Sequence, residues 1–313
     1  MSNLHRPAAV LALVLTLSAC AGEADELSEA AEDDAAETRT VTHDQGETEV
    51  PAEPERVVTL DSPHLDAALA LGVTPVGSTA VFADEGLPSY LDDRTGEVEV
   101  VGTIEEPDLE AVAALEPDLI LSATVRHEQI YDQLSEIAPT VFTESSGTDW
   151  KQGVSLVAEA LGRADEGERA LAEHEQRATE LGEELGASQQ QAGIVRFLPG
   201  ETRIYGPETF SGSVLADVGY SLPDLDYDQY SMVSISAEQV ELLSDADVLF
   251  AATFGAEEES TRGEVTELWG QLPAVADGCQ FDVADDEWMI GIGLIGAELI
   301  LDDLAERLGG TDC

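Results

Sequence analysis

One stretch constrains the fold of this chain more than any other: Asp165 to Gly186, DEGERALAEHEQRATELGEELG. Its least polar positions, Leu171, His174, Ala178, Leu181 and Leu185, fall three and four apart and make one narrow stripe at the helical period. The other faces carry charge, with Glu173 placed to pair with Arg177 one turn on. At ~1.5 Å per residue such a helix spans roughly 30 Å, about the height of a small domain. On both sides of it, short apolar strands alternate with helices. A single stiff helix between two α/β halves predicts two lobes with a cleft between them.

The flanking text supplies the lobes. Before the long helix, Arg56–Leu60, Thr74–Gly77, Val98–Val101, Asp118–Leu121 and Thr140–Phe142 read as strands. Helices are expected over Asp66–Leu71, Leu109–Leu115, Glu128–Ile137 and Trp150–Leu161. After it, Ile194–Phe197, Arg203–Tyr205 and Val248–Phe250 read as strands. Helices follow at Ser213–Val218, from a Ser236 cap to Leu243, and at Leu294–Leu308. Strands alternating with helices predict mostly parallel sheets. The expected division is 51–163 for the first lobe, 164–187 for the backbone helix and 188–313 for the second lobe.

The N-terminus reads as a targeting segment. Arg6 supplies the positive end, Ala8–Leu17 is a short apolar core, and Leu17-Ser18-Ala19-Cys20 follows. The last four residues resemble the bacterial lipobox, in which Cys20 is lipidated after removal of residues 1–19. The apolar run is too short for a permanent membrane span. Residues 21–50 are rich in Ala, Glu, Asp and Thr and read as a solvated tether. The protein is expected on the outer face of the cytoplasmic membrane. Cys279 and Cys313 are then an even pair outside the cytoplasm, where a disulfide is expected.

The formal net charge is -53. Such a field repels nucleic-acid phosphates and excludes nucleic acid as a partner. It also creates a self-repulsion that salt screens, which points to a salty or alkaline habitat. Lys151 is the only lysine. No G-x-S-x-G elbow, H-E-x-x-H pair or P-loop occurs. Gly291–Gly296 matches G-x-G-x-x-G, but no βαβ unit follows it, so the glycines are expected to let the last helix start close to another backbone or to a ligand.

Several segments together resemble the helical-backbone substrate-binding proteins of bacterial ABC importers, of the ferric-siderophore type. They are PERVVTL (54–60), LALGVTPVG (69–77), EPDLEAVAALEPDLIL (106–121), YDQLSEIAPTV (131–141), RFLPGETRIYGPETFSGSVLADVGY (196–220) and LPAVADGCQFDV (272–283). The resemblance implies two lobes joined by one long helix. It implies a monomer without catalysis or cofactor, which takes up a ferric siderophore and passes it to an ABC permease and its ATPase. Haem or cobalamin-type chelates on the same fold are the alternative, and a chelate-processing enzyme is a more distant one.

Ligands of open α/β sheets gather beyond the carboxyl ends of strands. Arg126 and Arg196 sit where the resembling proteins place ligand-binding arginines, and Arg203 opens the next strand. Their guanidinium groups suit the oxygens around a chelated iron. Trp288, after the polar run Asp285-Asp286-Glu287, is expected in an exposed loop on the cleft, and Trp150 and Tyr205 are further candidates to line it. Tyr131 reads as core. His64 and His127 are too few for a bare-ion site, so no metal ligand is assigned. Glu110 and Glu238, each early in a helix, match by resemblance the one glutamate per lobe that docks on permease arginines.

Overall fold

The computed structural model describes residues 37–82, 86–311 and 313. Residues 36–313 form one compact unit, which opens on a hairpin, β1 (Thr38–His43) and β2 (Gly46–Pro51). This segment was expected in the tether. Its alternating Thr and Val instead suit a strand pair, and Val41 and Val50 are fully buried. The Asp44 amide donates to the Phe142 carbonyl at 3.2 Å, and Arg39 donates to the carbonyls of Glu159 and Ala160. The acidic average of residues 21–50 concealed the hairpin. Cys20 and the segment before it lie outside the described residues.

The first lobe runs β3 (Val57–Thr59), α1 (Ser62–Ala70), β4 (Gly77–Ala80), β5 (Glu99–Thr103), α2 (Leu109–Ala114), β6 (Leu119–Ala123), α3 (Thr124–His127), α4 (Tyr131–Ser135), β7 (Thr140–Thr143) and α5 (Trp150–Ala160). Its sheet order is β5-β4-β3-β6-β7, with every pairing parallel. Burial on both faces explains the unbroken apolar run of β6, whose five residues are all buried. The expected helix at Glu128–Ile137 is interrupted: a 3-10 turn over Glu128–Ile130 precedes α4.

Next comes α6 (Ala164–Leu185), a 22-residue helix stopped by Gly186 in the left-handed region at φ 67°. His174, Ala178 and Leu181 are buried along the expected stripe, with Leu171 and Leu185 packed at its edges. The anticipated Glu173–Arg177 pair is replaced by a tertiary one. Arg177 turns to Glu298 and Asp302 on the last helix. His174 is enclosed between Asp217 (3.2 Å) and Glu298 (3.3 Å). Burial alone would lower its pKa; the two carboxylates outweigh burial and raise it.

The second lobe contains β8 (Ala192–Leu198), β9 (Glu201–Tyr205), α7 (Phe210–Val218), β10 (Met232–Ile235), β11 (Val248–Thr253), α8 (Arg262–Trp269), α9 (Pro273–Ala276), β12 (Gln280–Val283) and α10 (Leu294–Leu308). The order is β10-β9-β8-β11-β12. β8, β11 and β12 are parallel, while β9 joins β8 as an antiparallel hairpin and β10, after α7, pairs antiparallel with β9. Pro199-Gly200, with Gly200 at φ 75°, makes the tight β8–β9 turn. Across the two sheets the strands are mostly parallel. Ser236 caps a 3-10 turn over Ala237–Leu243, as a box with Gln239.

The lobes share a core. One buried cluster extends from Val57 and Leu121 of the first sheet through Val154, Ala178 and Val214 to Ile194 and Phe250 of the second. The glycines before α10 serve close backbone approach. A Cβ on Gly296 would sit 1.5 Å from the Gly291 carbonyl oxygen, and one on Gly293 would strike the Asp66 carboxylate. Asp66, on α1 of the first lobe, accepts from the amides of Ile295 (3.0 Å) and Gly296 (3.1 Å) and from the Tyr90 hydroxyl (3.1 Å). Burial pushes its pKa up to about 7 against those three donors. Cys279 and Cys313 are bonded, Cα to Cα 5.5 Å, across 34 positions. Closing such a loop contributes about 4 kcal/mol on chain-entropy grounds.

The surplus of carboxylates gives the first testable consequence. The Debye length is ~30 Å in 0.01 M salt and ~3 Å in 1 M. The melting temperature is therefore expected to rise with added salt, and a flat calorimetric profile from dilute to molar NaCl would contradict the self-repulsion argument.

Candidate functional site

A cleft of about 490 Å³ lies between the lobes. The first lobe supplies the segments that leave the carboxyl ends of β6 and β7, namely Val125-Arg126 and Ser145–Thr148. From the second lobe come Arg196, Arg203 and Tyr205 of the β8–β9 hairpin and Thr209–Ser211 at the start of α7. Tyr230 and Met232 add to that wall, and Trp288, Met289 and Ile292 complete the lining. The chain has 66 acidic residues and 13 basic ones, yet among the described residues no aspartate or glutamate lines this cleft and three arginines do.

Antiparallel pairing of β8 with β9 sets Arg196 directly opposite Arg203. Like charges in that position repel by roughly 0.2–1 kcal/mol. Each is held by its own carboxylate. Arg196 makes a fork to Asp285, Nε and Nη2 each donating at 2.6 Å, and its Nη1 reaches the Tyr205 hydroxyl at 3.4 Å. Burial works against its charge, and these bonds outweigh burial and raise its pKa. Phe254 stacks beneath it, 5.3 Å from guanidinium carbon to ring centre. Arg203 donates to Glu201 at 2.6 Å.

Arg126 stands across the cleft. Its Nε donates to Asp61 at 3.1 Å, and its side chain is 44% exposed. Asp61 is fully buried behind it and also accepts from the Ser146 hydroxyl at 2.5 Å and, as cap of α1, from the Ser62 amide at 2.8 Å. One buried carboxylate thus orients an arginine and a serine on the cleft wall. Hydroxyls of Thr148, Ser211, Tyr205 and Tyr230 add donors that rotate to suit a ligand, while those of Ser145 and Thr209 are already committed to the carbonyls of Thr148 and Gly206. The N-terminus of α7, capped by Thr209, faces the same space and favours negative charge there. The wall is built to bind oxygen acceptors.

The structure thus brings Arg126, Arg196, Arg203 and Tyr205 to one place, as expected. The two tryptophans need correction. Trp288 is not in an exposed loop. Residues Asp286–Ile290 form a π-helical turn that folds the indole beneath the floor, fully buried, stacked 4.7 Å from Phe250, with Nε1 donating to Asp303 at 3.1 Å. It borders the cleft from below, and the residue of that polar run that acts on the cleft is Asp285. Trp150 does not line this cleft at all. It opens α5, donates to the Ser213 hydroxyl at 2.9 Å and packs edge-on against Phe210 and His174, so it fastens α5 to α7 behind the wall.

Tyr131 packs on Phe142. His64 and His127 are buried in the first lobe. His64 bonds the Thr143 hydroxyl at 3.2 Å, and burial lowers its pKa to about 4. His127 lies between Ser122 (2.6 Å) and the Ile104 carbonyl (2.7 Å). Glu110 and Glu238 are exposed on first helical turns, one per lobe and neither on the cleft.

Of the lining residues that the sequence reading did not name, Val125 and Tyr230 present exposed apolar or aromatic side chains, at 48% and 46%. Tyr230 sits in an acidic loop whose turn is set by Asp228 accepting from the Tyr230 and Met232 amides, with Ser231 at φ 58°. An Asp two residues before an aromatic is a turn signal that would have placed it at a tip.

The periplasmic binding protein family model matches residues 57–284. A probable siderophore-binding lipoprotein of Bacillus subtilis, YfiY, is 37% identical over 309 residues, 94% of each chain. The Fe(3+) dicitrate-binding periplasmic protein FecB of Escherichia coli is 28% identical over 278 residues, covering 84% of this chain and 88% of that one. The structure of SirA from Staphylococcus aureus complexed with staphyloferrin B superposes with a TM-score of 0.77 at 29% identity, covering 87% of this chain and 98% of that one. The matched region contains both sheets, the backbone helix and every arginine of the cleft. This chain belongs to the periplasmic binding protein family and is a binding protein, not an enzyme.

Proposed function

We propose that the protein captures a ferric siderophore between its lobes and delivers it to the permease of an ABC importer. The observation that carries this reading is the cleft wall: three arginines and a set of hydroxyls, with no carboxylate among the described residues that line it, inside a strongly acidic chain. The names of its relatives support the same cargo. Iron would arrive already enclosed by its chelator, so the protein needs donors for the chelate's outer oxygens rather than ligands for the metal. Among the described residues no group of three or more His, Cys, Asp or Glu is placed to hold an ion. Glu110 and Glu238 would dock on permease arginines, one per lobe, with the protein acting as a monomer whose permease works with its ATPase.

The test is a fluorescence titration in high salt with a panel of ferric and iron-free chelators, haem and cobalamin. Trp288 under the floor and Tyr205 in the wall supply the signal. Saturable quenching by a ferric chelate, without turnover, is the expected result. Response to haem or cobalamin alone would replace the cargo.

Among the described residues no helix is long and apolar enough to cross a membrane. Attachment would rest on lipidated Cys20, which carries acyl chains enough for stable anchoring. Cys20→Ala is expected to leave the membrane fraction and to bind chelate as the parent does. A variant that still sediments with membranes would refute the anchor.

A further inference from the structure

The cleft's arginines differ in how far their charge is already matched, and the difference bears on which chelates fit. This inference rests on the reading of the cleft as a chelate site. Arg196 is forked onto Asp285, and both side chains are little exposed, 13% and 12%. Arg126 is held by Asp61, which is 1% exposed and lies within the protein behind it. Arg203 is paired with Glu201, but that carboxylate is 35% exposed and screened by water. Three cations on the wall are therefore backed by three anions, and two of those anions are sheltered from solvent, where their field acts on a bound ligand almost unscreened.

We infer that Asp61 and Asp285 are positioning residues that hold Arg126 and Arg196 from behind and, by their charge, limit the cleft to neutral or weakly anionic oxygen-rich ferric chelates. The arginine edges left free still donate to the ligand: both terminal nitrogens of Arg126 and the Nη1 edge of Arg196, which meets the Tyr205 hydroxyl. They recognise carbonyl, carboxylate or hydroxyl oxygens at the chelate's rim. A polyanionic chelate meets the same donors, but the buried carboxylates behind them cancel the charge of the arginines and leave it no net attraction to offset its desolvation. The surface of the cleft thus attracts acceptors while its depth rejects excess charge.

Asp61→Asn and Asp285→Asn test this. Asparagine keeps the shape and remains a good helix cap for α1, so the fold is expected to hold. Thermal melting of each variant, compared with the parent, checks that point. The readout is the ratio of affinities for ferric citrate, an anionic chelate, and ferrichrome, a neutral trihydroxamate, both by fluorescence titration in the same salt. Each substitution is expected to shift the ratio about tenfold toward ferric citrate, the size of one unit charge acting through roughly 10 Å at an effective dielectric of ~20. Glu201→Gln, at the water-screened carboxylate, is expected to shift it less. A merely structural role would weaken both chelates alike and leave the ratio unmoved. A ratio unchanged in both asparagine variants, or moved toward ferrichrome, overturns the inference. A parent protein that binds no ferric chelate of the wider panel overturns the reading of the cleft itself.

Discussion

Gly182→Ala is expected to destabilise the protein by ~3 kcal/mol or more, although the same change in an open helix would be worth up to ~1 kcal/mol in its favour. Gly182 lies about two turns after His174 in α6, on the face that meets α7. A Cβ there would stand 1.7 Å from the carbonyl oxygen of Val218, and backbone cannot swing aside as a flexible side chain does. The helices would have to separate, opening the packing of Ala178 and Leu181 against α7 and unsettling Phe210 and Ser211, which α7 presents to the cleft. The control is Gly153→Ala in α5, where the nearest atom is the Thr143 methyl at an ordinary 3.8 Å. That variant is expected to gain ~0.5–1 kcal/mol. Urea unfolding followed by circular dichroism would show opposite signs; equal shifts would mean that helix propensity, not the α6–α7 contact, governs both sites.

Arg196→Ala is expected to reduce affinity for the captured ferric chelate by about 100-fold or more. Charged hydrogen bonds contribute ~1.5–3 kcal/mol, and each ~1.4 kcal/mol is tenfold. The loss is twofold in origin. The ligand forfeits a donor, and Asp285, no longer forked, turns its charge on the cleft from a site with 12% exposure. Arg126→Ala is expected to weaken binding less, because that side chain is 44% exposed and water partly replaces it. Replacing Glu110 and Glu238 together should leave affinity unchanged, since both are exposed and away from the cleft. Uptake of labelled iron by the reconstituted importer should fall. Titration and transport assays separate the two surfaces. Loss of binding in the glutamate pair with normal binding in the arginine variants would show the surfaces exchanged.

Much of this was legible in the sequence. Local periodicity and caps are properties of adjacent residues, so α6, the buried strand β6 and the Ser236 cap could be read directly. Arg126 and Arg196 could be placed because the resemblance to ferric-siderophore binding proteins puts ligand-binding arginines at those positions, with Arg126 just past the carboxyl end of β6. The hairpin before Pro51 was lost in an averaged composition. Trp288 was misplaced because a polar run before an aromatic reads as exposure, whereas Asp285 is turned to Arg196 and the next turn buries the indole.

The sequence by itself determined two α/β halves, the long helix between them and the pairing of Cys279 with Cys313, while the resemblance it carries pointed to the arginines of the cleft. Only the tertiary structure decided the partners of those residues. Arg177 left its expected neighbour Glu173 for Glu298 and Asp302, Asp66 capped a helix 229 positions later, and Gly182 proved necessary for a carbonyl on another helix. The physical reason is range. Helix and strand patterns follow from interactions within a few residues, whereas charge pairing and close packing depend on distances through space that one-dimensional order does not contain.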